Sequence, residues 1–378
     1  MLEVNGRIRK GRCTKQLIHR LRPGDIAVVA HPDLDSVVAE DLIHRGVRAV
    51  LNTEISFTGR FCTPGPRMLL DAGVALLDQV EEGIFDLPEG VRVAVRDRTV
   101  CHRLDVVASG RRISREELDL AMEEAIRRRP ERLESFVDNT LSYARSEKDL
   151  LLEEPRVPPL SVRIQGRPVL VVVRGRSYRQ DIRAIRNYVK EQNPIIIAVD
   201  GAADAVVAEG WNPHVLLGDM DSVSDRALMR VVRRGADLIV HAYPDGTAPG
   251  LKRLQCLGLS GQTFSVAGTS EDAALLLADL AGADLIVAVG THTDPVEFLE
   301  KGRPGMASTV LVRLRVGGKL VDAKGVNRLY RTQPRAAEVA LLLSAALAPI
   351  LMILWMSPSF NLLLRLLALQ FRMIAAGG

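Results

Sequence analysis

Aromatic residues make up only 4% of the chain, too few to build the stacking platforms on which single-stranded nucleic acid binds. Cysteine is as scarce: Cys13, Cys62, Cys101 and Cys256 stand far apart, with no C-x-x-C pair. That spacing argues against a disulfide framework or a zinc site and suits a reducing compartment. A strong excess of one charge is missing too. The 50 Lys and Arg against 46 Asp and Glu leave a net charge of +4, interspersed along the chain, so no nucleic-acid partner is expected. A secretory leader is not expected either, because Met1 is followed by polar and basic residues through Arg20.

What is present is enough apolar sequence for a packed core. Hydrophobic residues reach 47% and charged ones 25%, a globular balance, and 378 residues exceed what one core usually serves. Two domains are therefore expected. In the first, Asp25 to Ala30 reads as a strand, Val37 to Arg45 as an amphipathic helix and Val47 to Leu51 as a second strand. This is a β-α-β unit, which requires a parallel pair with a crossover. The turn between them, His31-Pro32-Asp33-Leu34-Asp35-Ser36, could bind metal but reads better as the cap of the following helix. Ser114 opens a helix with a capping box, and Pro155, Pro158 and Pro159 form a stiff linker.

After the linker the pattern alternates. Short apolar runs beginning at Val169, Pro194, Val215, Ala236, Phe264 and Asp284 are separated by helical stretches, which predicts a doubly wound parallel sheet. Gly317-Gly318 is expected to turn a short hairpin. Two of the strand ends carry acids: Val199 is followed by Asp200-Gly201-Ala202-Ala203-Asp204, and Leu217 by Gly218-Asp219-Met220-Asp221-Ser222. Ligands bind at strand ends in such sheets, and carboxylates on tight turns there can share a hard cation that carries phosphate oxygens. Arg174, Arg176 and Arg179 follow the first strand of this sheet, either as bidentate phosphate contacts or as solvated loop residues. Gly302 to Thr309 is a glycine-bearing loop that reads as a helix entry, and His292 lies in a post-strand loop.

The segments Asp200–Ala203 and Gly218–Ser222 resemble the A-D-G-G-A-N and G-D-x-D-S motifs of thiamine pyrophosphokinase catalytic domains. The chain as a whole resembles the SteA-like family, associated with the cytokinetic ring. The resemblance implies Mg²⁺ and ATP as cofactors, with Asp200, Asp219 and Asp221 as metal ligands and catalytic acids. It implies Gly201, Gly218, Ser222, Arg174, Asp245, Thr247 and Asp272 around the nucleotide, with Ser222 opening the next helix. Later motifs depart from the kinase pattern: Ala248 replaces an acid, and Gly268 to Ala273 keeps glycine and Asp272 but lacks the arginine and histidine. Nucleotide binding is thus expected more than thiamine phosphorylation, with a role in cell division or envelope assembly. An active thiamine diphosphokinase is the alternative, and a scaffold with a vestigial site is a third class.

From Val339 to Leu364 there is no charged residue. This predicts a transmembrane helix over 336–358, interrupted by Pro349, with Trp355 at its far interface. Lys324, Arg328, Arg331 and Arg335 before it put the N-terminal bulk in the cytoplasm, anchored to the cell membrane by a single pass. A buried hairpin or a homodimer interface is the alternative. The organisation expected is an N-terminal α/β domain at 1–112, a connector and Pro-rich linker at 113–160 and a nucleotide-binding domain at 161–330. The membrane helix and an amphipathic tail at 359–378, with Arg365 and Arg372 on one face, complete it.

Overall fold

The structure is a computed structural model that describes residues 3–60, 63–103, 105–292, 295–300, 304–323 and 336–356, with positions 358, 360, 362, 366 and 368–370. It divides into two compact units, Met1–Leu329 and Tyr330–Gly378, so both sheets belong to one unit.

The first sheet begins with β1 (Glu3–Gly11), a strand that the pattern did not announce because Val4 and Ile8 are its apolar residues. There follow α1 (Thr14–Arg20), β2 (Ile26–Val29), α2 (Ser36–His44), β3 (Ala49–Asn52), α3 (Gly65–Asp71) and β4 (Ala75–Asp78). After these come β5 (Arg92–Arg96), β6 (Thr99–His102), β7 (Asp105–Ser109) and β8 (Arg111–Arg112). The eight strands run β7-β6-β5-β1-β2-β3-β4-β8. β1 works twice: Glu3–Arg7 pairs antiparallel with β5, and Ile8–Gly11 pairs parallel with β2. Strands β2 to β4 are buried on both faces: α1 to α3 cover one, and Val80, Ile84 and residues of β5 to β7 pack against the other. Asp35 caps α2 by accepting from the Val38 amide at 2.8 Å, the cap reading of that turn.

Helices α4 (Arg115–Arg127), α5 (Arg129–Ser146) and α6 (Asp149–Leu152) follow. Pro130 begins α5 instead of breaking a helix, because the first turn needs no amide there. Beyond it, Val157, Leu160 and Val162 of the Pro-rich linker pack on the second core.

That core belongs to β9 (Pro168–Val172), α7 (Tyr178–Ala184), α8 (Arg186–Gln192), β10 (Ile195–Val199), α9 (Ala202–Ala208) and β11 (Val215–Gly218). Next are α10 (Asp225–Arg233), β12 (Asp237–Ala242), α11 (Pro249–Cys256), β13 (Gln262–Ser265), α12 (Ser270–Leu280) and β14 (Leu285–Val289). Finally come α13 (Pro295–Glu300), α14 (Ala307–Val316) and β15 (Leu320–Asp322). The order β13-β12-β11-β10-β9-β14-β15 is a seven-stranded, wholly parallel, doubly wound sheet. The Gly317-Gly318 hairpin is not formed: the pair ends α14, which acts as a crossover, and β15 joins β14 in parallel. Chain order reverses between β9 and β14. A Cβ on Gly175 would come within 2.0 Å of the Gly290 carbonyl oxygen, so the backbone there is closely shut.

The membrane expectation is overturned. Among the described residues no helix is long and apolar enough to cross a membrane. Helix α15 (Ala336–Met356) contains Pro349. The single-pass cell-membrane assignment and the transmembrane part of the fold class are corrected accordingly. Lys324, Arg328, Arg331, Arg335, Arg365, Arg372, the Trp355 side chain, and Gly302 and Arg303 of the glycine-bearing loop lie outside the described residues.

Candidate functional site

β10 and β11 lie side by side in parallel, so Asp200 and Gly218 leave the sheet at the same edge. Both chain exits are unusual. Asp200 has φ +45° and Met220 φ +61°, left-handed conformations that ordinary side chains adopt at a cost and that cluster at functional sites. Gly218 has φ +152°, and a Cβ there would sit 2.0 Å from Asp200 Oδ1. Glycine is needed because the Asp200 carboxylate is folded over it. The Met220 amide donates to Asp200 Oδ1 at 2.8 Å, which ties one turn to the other. Arg253 of α11 pins the second turn from behind, donating to the Met220 carbonyl oxygen and, at 2.7 Å, to that of Val223.

The three acids expected to hold metal thus stand on two adjoining turns. Burial and the neighbouring Asp219 push the Asp200 carboxyl well above the usual carboxylate range. Asp219 is raised by burial and by Asp221. For Asp221, burial pushes upward but the Lys15 ammonium outweighs it, leaving the carboxyl below its ordinary value. Like charges held this close disfavour joint ionisation. A cation is therefore the complement such a site favours.

The cation present comes from the first sheet. Lys15, on α1, donates to Asp221 Oδ2 at 2.9 Å. One turn along the same helix, His19 Nε2 donates to the Ser222 carbonyl oxygen at 2.9 Å. His19 Nδ1 stands 3.9 Å from Asp204. No motif announced these residues, since α1 reads as a short basic helix 206 positions from its partner.

Other expected site residues are placed differently. Ser222 does not open the next helix: its hydroxyl accepts from the Gly201 amide at 3.2 Å, and Ser224 caps α10. Gly201 itself lies close under the second turn, with a hypothetical Cβ 2.9 Å from the Ser222 carbonyl oxygen. Arg174 lies beside Gly201, but its guanidinium pairs with Asp41 of α2, as does that of Arg179 at 3.1 Å. Asp245 and Thr247 form an exposed turn in which the Thr247 amide donates to Asp245 Oδ1 at 2.9 Å. Asp272 is fully buried and caps α12, with its Oδ2 accepting from the Thr269 amide at 3.0 Å and from the Ser308 hydroxyl at 2.8 Å. His292 pairs with Glu271 at 2.8 Å.

Among the described residues, no three His, Cys, Asp or Glu side chains are gathered as a group that could hold a metal ion. Yet the donor chemistry suits a hard cation, because all three acids offer oxygen. Asp221 Oδ1 is buried without a hydrogen-bond partner, an acceptor still to be satisfied.

Among solved structures, the chain is similar to thiamine pyrophosphokinase from Bacillus subtilis, at 18% identity over 41% of this chain and 60% of that one, with a TM-score of 0.27. It is also similar to the MAf glycosyltransferase from Magnetospirillum magneticum AMB-1, at 19% identity over 49% of this chain and 33% of that one, with a TM-score of 0.26. The chain thus spans less than two thirds of the length of either. No curated protein matches it. Residues 324–375 match the SteA-like C-terminal domain.

Proposed function

We propose that the carboxyl edge of the second sheet binds a divalent cation, Mg²⁺, together with the phosphates of a nucleotide, ATP. The observation that supports this reading is that the two acid-bearing turns, with Asp200 on one and Asp219 and Asp221 on the other, are joined by the Met220–Asp200 hydrogen bond. Two of these carboxyls are raised by burial and mutual repulsion. Asp200, Asp219 and Asp221 would hold the ion, which when bound neutralises phosphate charge and orients the chain of phosphates. The role of the chain residues is binding and positioning: Arg253 and Gly218 fix the turn, and Ser222 holds the Gly201 amide. The SteA-like match at 324–375 supports a place for this binding in cell division or envelope assembly.

Thiamine phosphorylation, the second reading, has less support. Ala273 stands where the kinase pattern has a polar residue, and it is fully buried within α12. Ala248 lies at the entry to α11 and brings no acid.

Calorimetry of the full chain with Mg-ATP tests the reading. The wild type is expected to bind, and Asp219→Ala to bind at least about tenfold more weakly, the loss of a charge-assisted ligand. A wild type that takes up no Mg-ATP would leave a scaffold with a vestigial site. AMP release that depends on thiamine would restore the enzyme reading.

A further inference from the structure

The proposed cation site has a second wall, and that wall belongs to the first sheet. Resting on the reading above, we propose that Lys15 is the resident counter-ion of the acid site: it holds Asp221 until a divalent cation arrives, and then faces the phosphate that the cation carries. The contact is of the exchangeable kind. The side chains of Lys15 and Asp221 are 49% and 43% exposed, whereas the neighbouring pair across the same two sheets, Arg174 and Asp41, is 14% and 3% exposed. The buried pair joins the sheets; the half-exposed one can open without breaking them.

The aim of Lys15 is set by its own helix. His19, four residues on and on the same face, is anchored to the Ser222 carbonyl oxygen at 2.9 Å, so the preceding turn is directed at Asp221. One ammonium faces three carboxylates, and it engages Oδ2 of Asp221 while Oδ1 is left buried without a partner. An ammonium is a point charge that cannot chelate, whereas a divalent ion takes several carboxylate oxygens at once. The ion therefore displaces the ammonium from Asp221. Lys15 is left on the opposite wall, within reach of any anion bound to the ion. Phosphate is the class of anion this suits, because lysine meets it as a point charge.

The test uses the full chain and two probes, Mn²⁺ alone, followed by the electron paramagnetic resonance of free ion, and Mg-ATP, followed by calorimetry. Lys15→Met is expected to bind Mn²⁺ about tenfold more tightly, since no ammonium has to be displaced, and to bind Mg-ATP more weakly than the wild type. Lys15→Arg, which keeps the charge, is expected to leave Mn²⁺ affinity near wild type. Melting curves establish that the variants are folded. Equal Mn²⁺ affinity in Lys15→Met and wild type overturns the counter-ion role while the acid site stands. Tighter Mn²⁺ binding with Mg-ATP affinity undiminished overturns the phosphate-facing role. Absence of Mn²⁺ binding in every folded variant removes the acid site itself, and the proposal with it.

Discussion

Asp78, at the end of β4, shows how far one buried carboxyl can depart from its solution behaviour. It is 1% exposed and accepts from the Ser56 amide at 2.7 Å and the Ser56 hydroxyl at 2.5 Å. Burial pushes its pKa up to about 6, and the Ser56 hydrogen bonds only partly oppose this. The sign follows from proton counting. The unfolded chain releases this proton near 3.8, while the folded chain holds it to about 6, so the folded state binds more protons between those values. Stability therefore falls as pH rises from about 4 to about 6, by roughly 3 kcal/mol from this group. Asp78→Asn, which stays neutral, is expected to remove that slope. Urea unfolding at pH 4, 5, 6 and 7 measures it, and a slope equal to wild type would refute the assignment. Sequence reading passed over Asp78, because its burial depends on β4 lying between β3 and β8.

At the scale of elements, the second sheet was the more readable half. Its strands are short apolar runs, those of β10, β11 and β14 closed by an acid or glycine, and the helices between them carry their own signals, as in the Thr269–Asp272 capping box of α12. β1 was missed because its outward positions are charged and its register is decided by β5 and β2 together. β15 was misread because a Gly-Gly pair serves a helix end as well as a hairpin. The junction of β11 with the turn that follows carries its own prediction. Gly218→Ala places a methyl group 2.0 Å from the Asp200 carboxylate at a backbone φ of +152°. A loss of about 2–4 kcal/mol is expected in urea unfolding, accompanied by weaker Mg-ATP binding. An alanine variant as stable as wild type would mean that Asp200 is not held over this glycine.

At the scale of the whole molecule, the two sheets of the first unit are joined by a small number of long-range polar contacts. Asp41, on α2, receives both Arg174 and Arg179, and it is 3% exposed. Glu40, beside it, accepts from the Ser177 amide at 3.1 Å. Asp41→Ala leaves the guanidinium of Arg174 buried without its partner, and about 3–5 kcal/mol of destabilisation is expected. Thermal unfolding followed by circular dichroism measures it. A change below about 1 kcal/mol would show that the arginines find water or other acceptors, and that apolar packing alone joins the sheets.

The amino-acid sequence by itself determined the α/β class of both halves, the parallel order of the second sheet, the strand ends at Asp200 and Gly218, and the cap at Asp35. Each is a local matter, settled by periodicity, by turn chemistry or by hydrogen bonds within a few residues. Only the tertiary structure decided that Lys15 faces Asp221, that Asp41 takes the charge of Arg174, and that Asp272 is buried as a cap. Those outcomes depend on which surfaces meet when two sheets pack, and electrostatic partners drawn from distant parts of the chain leave no pattern in the order of its residues.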